Sequence, residues 1–121
     1  MPAITVALDT SFLIFLAKRK VSLGRLRERF DSPVAFYTSR GVLNELHALA
    51  SSDRFSAPHA ALALRMLEEM DVKIDPSTEE PDDWLLKQGA IATADIKLAR
   101  VAHRRGVRII SITKSNRISI R

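Results

Sequence analysis

At 121 residues the chain can bury one core but not two, and with only 6% aromatic residues that core must be built from Leu, Ile, Val and Ala. The absence of cysteine excludes disulfides and thiolate metal sites and fits a reducing cytoplasm. The net charge of +5 matters less than its segregation into basic and acidic stretches, which suggests a polyanionic partner, with nucleic acid first in line.

In chain order, Ile4–Leu8 reads as a buried strand. The apolar stretch 12–17 is too short for a bilayer, which takes roughly 20 apolar residues. Its positive charges, Lys18, Arg19 and Lys20, follow it instead of preceding it, so it also fails as an export signal. Residues 12–17 and 23–30 read as short helices, and the protein as cytoplasmic with no membrane contact. A strand is predicted at 34–37, then a helix over 40–51 with Val42, Leu43, Leu46, Leu49 and Ala50 near a 3.6-residue period. Ser56 and Pro58 open a helix that runs to Met70. A short strand follows at 72–74, and Asp82 or Asp83 caps a helix carrying Trp84, Leu85 and Leu86. Residues 90–93 form a strand, and Asp95 starts a helix that Gly106 ends. A strand at 107–112 and a weaker one at Ile118–Ile120 complete the chain. Strands alternating with helices imply a single three-layer α/β/α domain, 1–121, around a central parallel sheet.

Ligands bind beyond the carboxyl ends of such strands, where this sequence places acids. Asp9 ends the first strand, Asp95 follows the strand at 90–93, and Asp82 and Asp83 open the helix before it. Glu45 lies about 100° from the centre of its helix's apolar stripe, at the edge of the buried face. Grouped carboxylates repel one another unless a hard divalent cation offsets them, and all-oxygen ligands suit Mg²⁺ or Mn²⁺. Ser11 and Thr93 are placed to orient those carboxylates. Each acid also has a plainer role: Asp82, Asp83 and Asp95 as helix caps, Glu45 as a solvated surface residue. Asp9 has little structural use at the end of a buried strand.

Charge is segregated along the chain. Residues 96–121 carry Lys97, Arg100, Arg104, Arg105, Arg108, Lys114, Arg117 and Arg121 and no acid, while eight acids fall between Glu68 and Asp83. The plain alternative is a charge-rich surface of the kind found on thermophile proteins.

Four segments, in order, resemble the motifs of PIN-domain nucleases. They are Val-Ala-Leu-Asp-Thr-Ser-Phe-Leu-Ile at 6–14, Gly-Val-Leu-Asn-Glu-Leu at 41–46, Asp-Asp-Trp-Leu-Leu at 82–86 and Ile-Ala-Thr-Ala-Asp-Ile-Lys-Leu at 91–98. The resemblance is nearest to the archaeal branch related to ribosomal RNA processing nucleases. It implies a Rossmann-like PIN fold, dependence on Mg²⁺ or Mn²⁺, and endonucleolytic cleavage of single-stranded RNA or a ribosomal precursor. Carried over, Asp9, Glu45, Asp83 and Asp95 are the catalytic, metal-holding acids, with Asp82 as substitute for Asp83, and Ser11 and Thr93 stand behind them. Ser11 and Ala94 depart from the family, where Asn is common at both places. Arg100, Arg104, Arg105, Lys114 and Arg117 are the expected RNA-backbone contacts. Two other readings accompany this one: a non-cleaving PIN-fold RNA-binding scaffold, and the toxin nuclease of a toxin–antitoxin pair. PIN-type domains often pair, so a homodimer is a further expectation. A phosphohydrolase with an Asp nucleophile is disfavoured, because Ser11 stands where its second Asp belongs.

Overall fold

Val6, Ala7 and Leu8 have no solvent exposure, and a strand that is apolar on both faces belongs in the middle of a parallel sheet. The computed structural model describes residues 4–70, 72–112 and 117–121 and puts that strand, β1 (Ile4–Leu8), at the centre. The others are β2 (Val34–Ser39), β3 (Lys73–Asp75), β4 (Ala90–Ala92), β5 (Arg108–Ile112) and β6 (Ile118–Ile120), in the order β3-β2-β1-β4-β5-β6. All pairings are parallel except β5 with β6, so the weak last strand closes the sheet as an antiparallel edge.

Helices α1 (Thr10–Lys18), α2 (Leu23–Glu28), α3 (Arg40–Ala50), α4 (Ala57–Glu69), α5 (Pro81–Leu85) and α6 (Ile96–Arg104) flank the sheet. Helices α1, α3 and α4 pack on one another, and α6 packs against β5. Among the described residues no helix is long and apolar enough to cross a membrane. The chain order of strands reverses direction between β1 and β4, and the crevice beyond their carboxyl ends is where a fold of this kind takes its ligands. Register delivers both strands to that crevice at one height. Leu8 pairs with Ala92, and Asp9 N–H donates to the Ala92 carbonyl at 3.0 Å.

One helix start differs from the sequence expectation. Neither Asp82 nor Asp83 caps α5; Glu80 does, accepting from the N–H groups of Asp82 at 3.2 Å and Asp83 at 3.0 Å. Pro81 explains the shift, since proline suits the first helical position, where its missing N–H costs nothing. Both aspartate side chains are thereby released from capping.

Helix α5 is pinned by its tryptophan. Trp84 is 2% exposed, lies edge-on to Tyr37 at 5.7 Å, and donates Nε1–H to Asp75 Oδ2 at 3.1 Å. Ser77 N–H donates to the other oxygen of Asp75 at 2.9 Å, and these two bonds, that from Ser77 first, hold the Asp75 carboxyl below the usual carboxylate range. Burial, and then the Asp75 charge, push the Tyr37 hydroxyl up. Its proton goes to Gln88 Oε1 at 2.7 Å.

The loop entering α5 lies directly on the start of α3. Gly41 N–H donates to the Ser77 carbonyl at 3.1 Å, and a Cβ at Gly41 would come within 2.5 Å of the Glu79 carbonyl oxygen. That atom is backbone and cannot swing aside. Gly41→Ala is therefore expected to destabilise the protein by about 1–3 kcal/mol, read as a lower midpoint in urea denaturation.

Candidate functional site

Asp9 stands at the N-cap position of α1 yet does not cap it. An N-cap aspartate ordinarily accepts an N–H of the first turn, and giving that up costs about 1 kcal/mol. Instead, Oδ2 accepts hydrogen bonds from Ser11 Oγ and from Thr93 Oγ1, each at 2.7 Å. Each hydroxyl has a single proton. Having donated to Asp9, the two oxygens serve as acceptors: Ser11 Oγ for Ala94 N–H at 3.1 Å, and Thr93 Oγ1 for Asp95 N–H at 3.0 Å. The turn after β1 and the turn after β4 are thus stitched together through one carboxylate oxygen. Asp9 is 4% exposed, and among the described residues no protein donor is directed at its Oδ1.

Asp95 both caps and projects. Its Oδ1 accepts from Lys97 N–H at 2.9 Å and Leu98 N–H at 3.3 Å, and its Oδ2 is left to the crevice. Glu45 lies on the exposed side of α3, two turns from the Ser39 hydroxyl that caps that helix. Thr38, also fully buried, donates its hydroxyl to the Leu8 carbonyl at 2.9 Å and fixes the end of β2 against β1.

Of the adjacent aspartates, Asp82 is the one tied to the other three acids. Its carboxyl is pushed up to about 6, by desolvation first and then by the negative charges of Glu80, Asp9, Asp95 and Glu45. The helix explains the choice: at about 100° per residue, Asp82 lies nearer than Asp83 to the side on which Trp84 and Leu85 are buried. Both aspartates are exposed, and both donate their backbone N–H to Glu80, so neither exposure nor this bond separates them. Pro81 is the sequence signal for where this helix starts, with Glu80 as its cap.

Four carboxylates, from the turn after β1, from α3, from α5 and from the turn before α6, therefore share one electrostatic neighbourhood at the carboxyl ends of β1 and β4. Among the described residues, no three acids or histidines are drawn tightly enough together to hold an ion by direct ligation alone. The donor set nonetheless fits a hard cation: all donors are oxygen, the charges are mutually unfavourable without one, and Mg²⁺-type ions retain waters that bridge to distant carboxylates. The Thr10 hydroxyl beside Asp9 is buried and has no hydrogen-bond partner, which marks a further polar atom at this end of the sheet.

Arg100 and Arg104 are exposed on α6, and Arg105 is its C-cap. Arg117 is exposed just before β6. Lys114 falls outside the described residues.

Comparison with known proteins places this arrangement in a fold. The chain superposes on the structure of the PIN domain endonuclease Utp24 with a TM-score of 0.75 at 22% identity, over 95% of this chain and 90% of that one. It also superposes on a domain of a functionally unknown protein from Methanocaldococcus jannaschii DSM 2661, with a TM-score of 0.61 at 20% identity over 92% of each chain. No family model and no curated protein matches it. The likeness is one of fold, and the fold is that of a PIN domain.

The Asp82 carboxyl gives a pH signature. The folded protein binds that proton more tightly than the unfolded chain, so without divalent cations this group's contribution to stability falls as pH rises from about 4 through about 6. Asp82→Asn is expected to be more stable than wild type at pH 7 and to lose that advantage at pH 4, measured by urea denaturation in chelator.

Proposed function

We propose that this chain is a metal-dependent endoribonuclease that hydrolyses phosphodiester bonds of single-stranded RNA, ribosomal precursors included. The observation that carries the reading is Asp9, an almost fully buried carboxylate just past the central strand: its Oδ2 is held by Ser11 and Thr93, no protein donor among the described residues is directed at its Oδ1, and Asp95 stands in the adjoining turn after β4. The likeness in fold to an endonuclease supports the same direction. Asp9, Glu45, Asp82 and Asp95 would hold the ion, Asp82 taking the place that motif spacing alone gives to Asp83.

A bound Mg²⁺ or Mn²⁺ supplies Lewis acidity and a water acidic enough to attack a phosphodiester at neutral pH. The chain's own contribution is orientation. Ser11 and Thr93 lock Asp9 through Oδ2 and so aim Oδ1, and the first turn of α6 locks Asp95 through Oδ1 and so aims Oδ2. Arg100 and Arg104 draw in the RNA backbone by charge, which makes binding salt-sensitive and weakly sequence-dependent. No histidine is needed.

The second reading, a PIN-fold scaffold that binds RNA without cutting it, is favoured by the wide spacing of the acids among the described residues. A labelled single-stranded RNA incubated with purified protein and Mn²⁺ or Mg²⁺ separates the two. Cleavage is expected, abolished by chelator and reduced at least about 100-fold by Asp9→Asn, the loss of a few kcal/mol of transition-state stabilisation. Wild type that binds RNA but cuts no faster than Asp9→Asn with either metal would leave the scaffold as the function.

A further inference from the structure

A groove of about 630 Å³ opens directly beside Asp95. Phe15 of α1 and Ile112 of β5 contribute to its apolar lining. From α6 it receives Ile96 and Ala99, then Arg100, His103 and Arg104. These five residues follow one another at helical spacings of three and one, so they form a single stripe along the helix, opposite the buried stripe of Leu98 and Ala102. The stripe is about 12 Å long from end to end. Its amino end is apolar: Ile96, which is 69% exposed, follows directly after the proposed metal-holding Asp95. Its carboxyl end is cationic, and among the described residues neither Arg100 nor Arg104 has an acidic partner.

An exposed isoleucine next to a carboxylate has no packing role, and two unpaired arginines one turn on have no structural charge to answer. An apolar slot leading into a cationic rim matches one kind of ligand: a planar ring attached to a phosphate. We infer that this groove is a nucleotide subsite, in which an unstacked base next to the scissile phosphate lies against Ile96, Ala99 and Phe15 while the following backbone phosphates meet Arg100 and Arg104. Base stacking on side chains tolerates any sequence, since every base has an apolar face. A duplex keeps its bases stacked on one another and has none to offer. The groove thus supplies the preference for single strands that four carboxylates and an ion cannot supply. This inference rests on the ribonuclease reading for its substrate class, but its test does not require cleavage.

The test is equilibrium binding in chelator, by fluorescence anisotropy, of three labelled ligands: a mixed-sequence 12-nucleotide RNA, an abasic backbone of the same length, and the RNA duplex. The single strand is expected to bind at least about fivefold more tightly than the abasic backbone, the margin that stacking of a base provides. Ile96→Asp, an exposed position that leaves the core intact, should erase that margin, and Ile96→Ala should reduce it. Arg100→Ala with Arg104→Ala should weaken all three ligands together and flatten the salt dependence. Equal affinity for RNA and abasic backbone overturns the inference, as does a margin that survives Ile96→Asp. Sedimentation that reveals a dimer dissolved by Ile96→Asp also overturns it, because a second copy would then be what covers the groove. If the single-strand margin is present but no metal supports cleavage, the subsite stands and the nuclease reading fails.

Discussion

Leu8 lies opposite Ala92 at the centre of the sheet, and the next residue on each strand, Asp9 and Thr93, leaves the ladder at the same level. One carboxylate oxygen then accepts the protons of Ser11 and Thr93, while the oxygens of those hydroxyls receive two backbone N–H groups of the opposite turn. The two hydroxyl oxygens also lie 3.2 Å from each other, which closes the network around the carboxylate. A shift of β1 against β4 by one residue would turn Asp9 to the other face of the sheet, and the same shift would separate it from Thr93. The two turns that frame the crevice are therefore set by strand register, before any ligand contributes.

Around that fixed point the remaining acids are held more loosely. Asp95 is tied by one oxygen to its own helix, Asp82 rides on a five-residue helix held by Trp84, and Glu45 extends from an exposed helical face. Asp9 and Asp95 each have one oxygen fixed by two hydrogen bonds, which suits them to set position in a site completed by a hard, oxygen-loving ion and its waters. Desolvation first, then the charge of Glu80, and only after these the charges of Asp9, Asp95 and Glu45 raise the proton affinity of Asp82.

Much of this was legible in the sequence. The apolar run of the first strand and the alternation of strands with helices implied a parallel sheet covered on both faces. Asp9 stood out because a charged residue after such a strand has no packing use, and Ser11 and Thr93 could be placed beside it. What one-dimensional reasoning could not supply was helix phase over a single turn. With α5 beginning at Pro81 under the Glu80 cap, residues 81–85 form one helical unit, and only then can Asp82 be placed nearer than Asp83 to its buried side. The groove beside α6 was also invisible, because its walls come from α1, α6 and β5, far apart in the chain. The arginines there were expected as RNA-backbone contacts; their placement beside Ile96 and Phe15 emerges only on folding.

The tryptophan that pins α5 is the chain's single one. Its indole is dry, hydrogen-bonded to a carboxylate and edge-on to a phenol, three conditions that hold only while the helix bearing Asp82 is seated. The protein therefore carries its own optical gauge of one wall of the crevice, and the emission of that indole reports the seating of α5 separately from the helical content of the whole. Where the two signals change together, the wall and the core melt as one unit. Where the fluorescence changes first, α5 is a hinged piece with a lower opening free energy than the sheet it leans on.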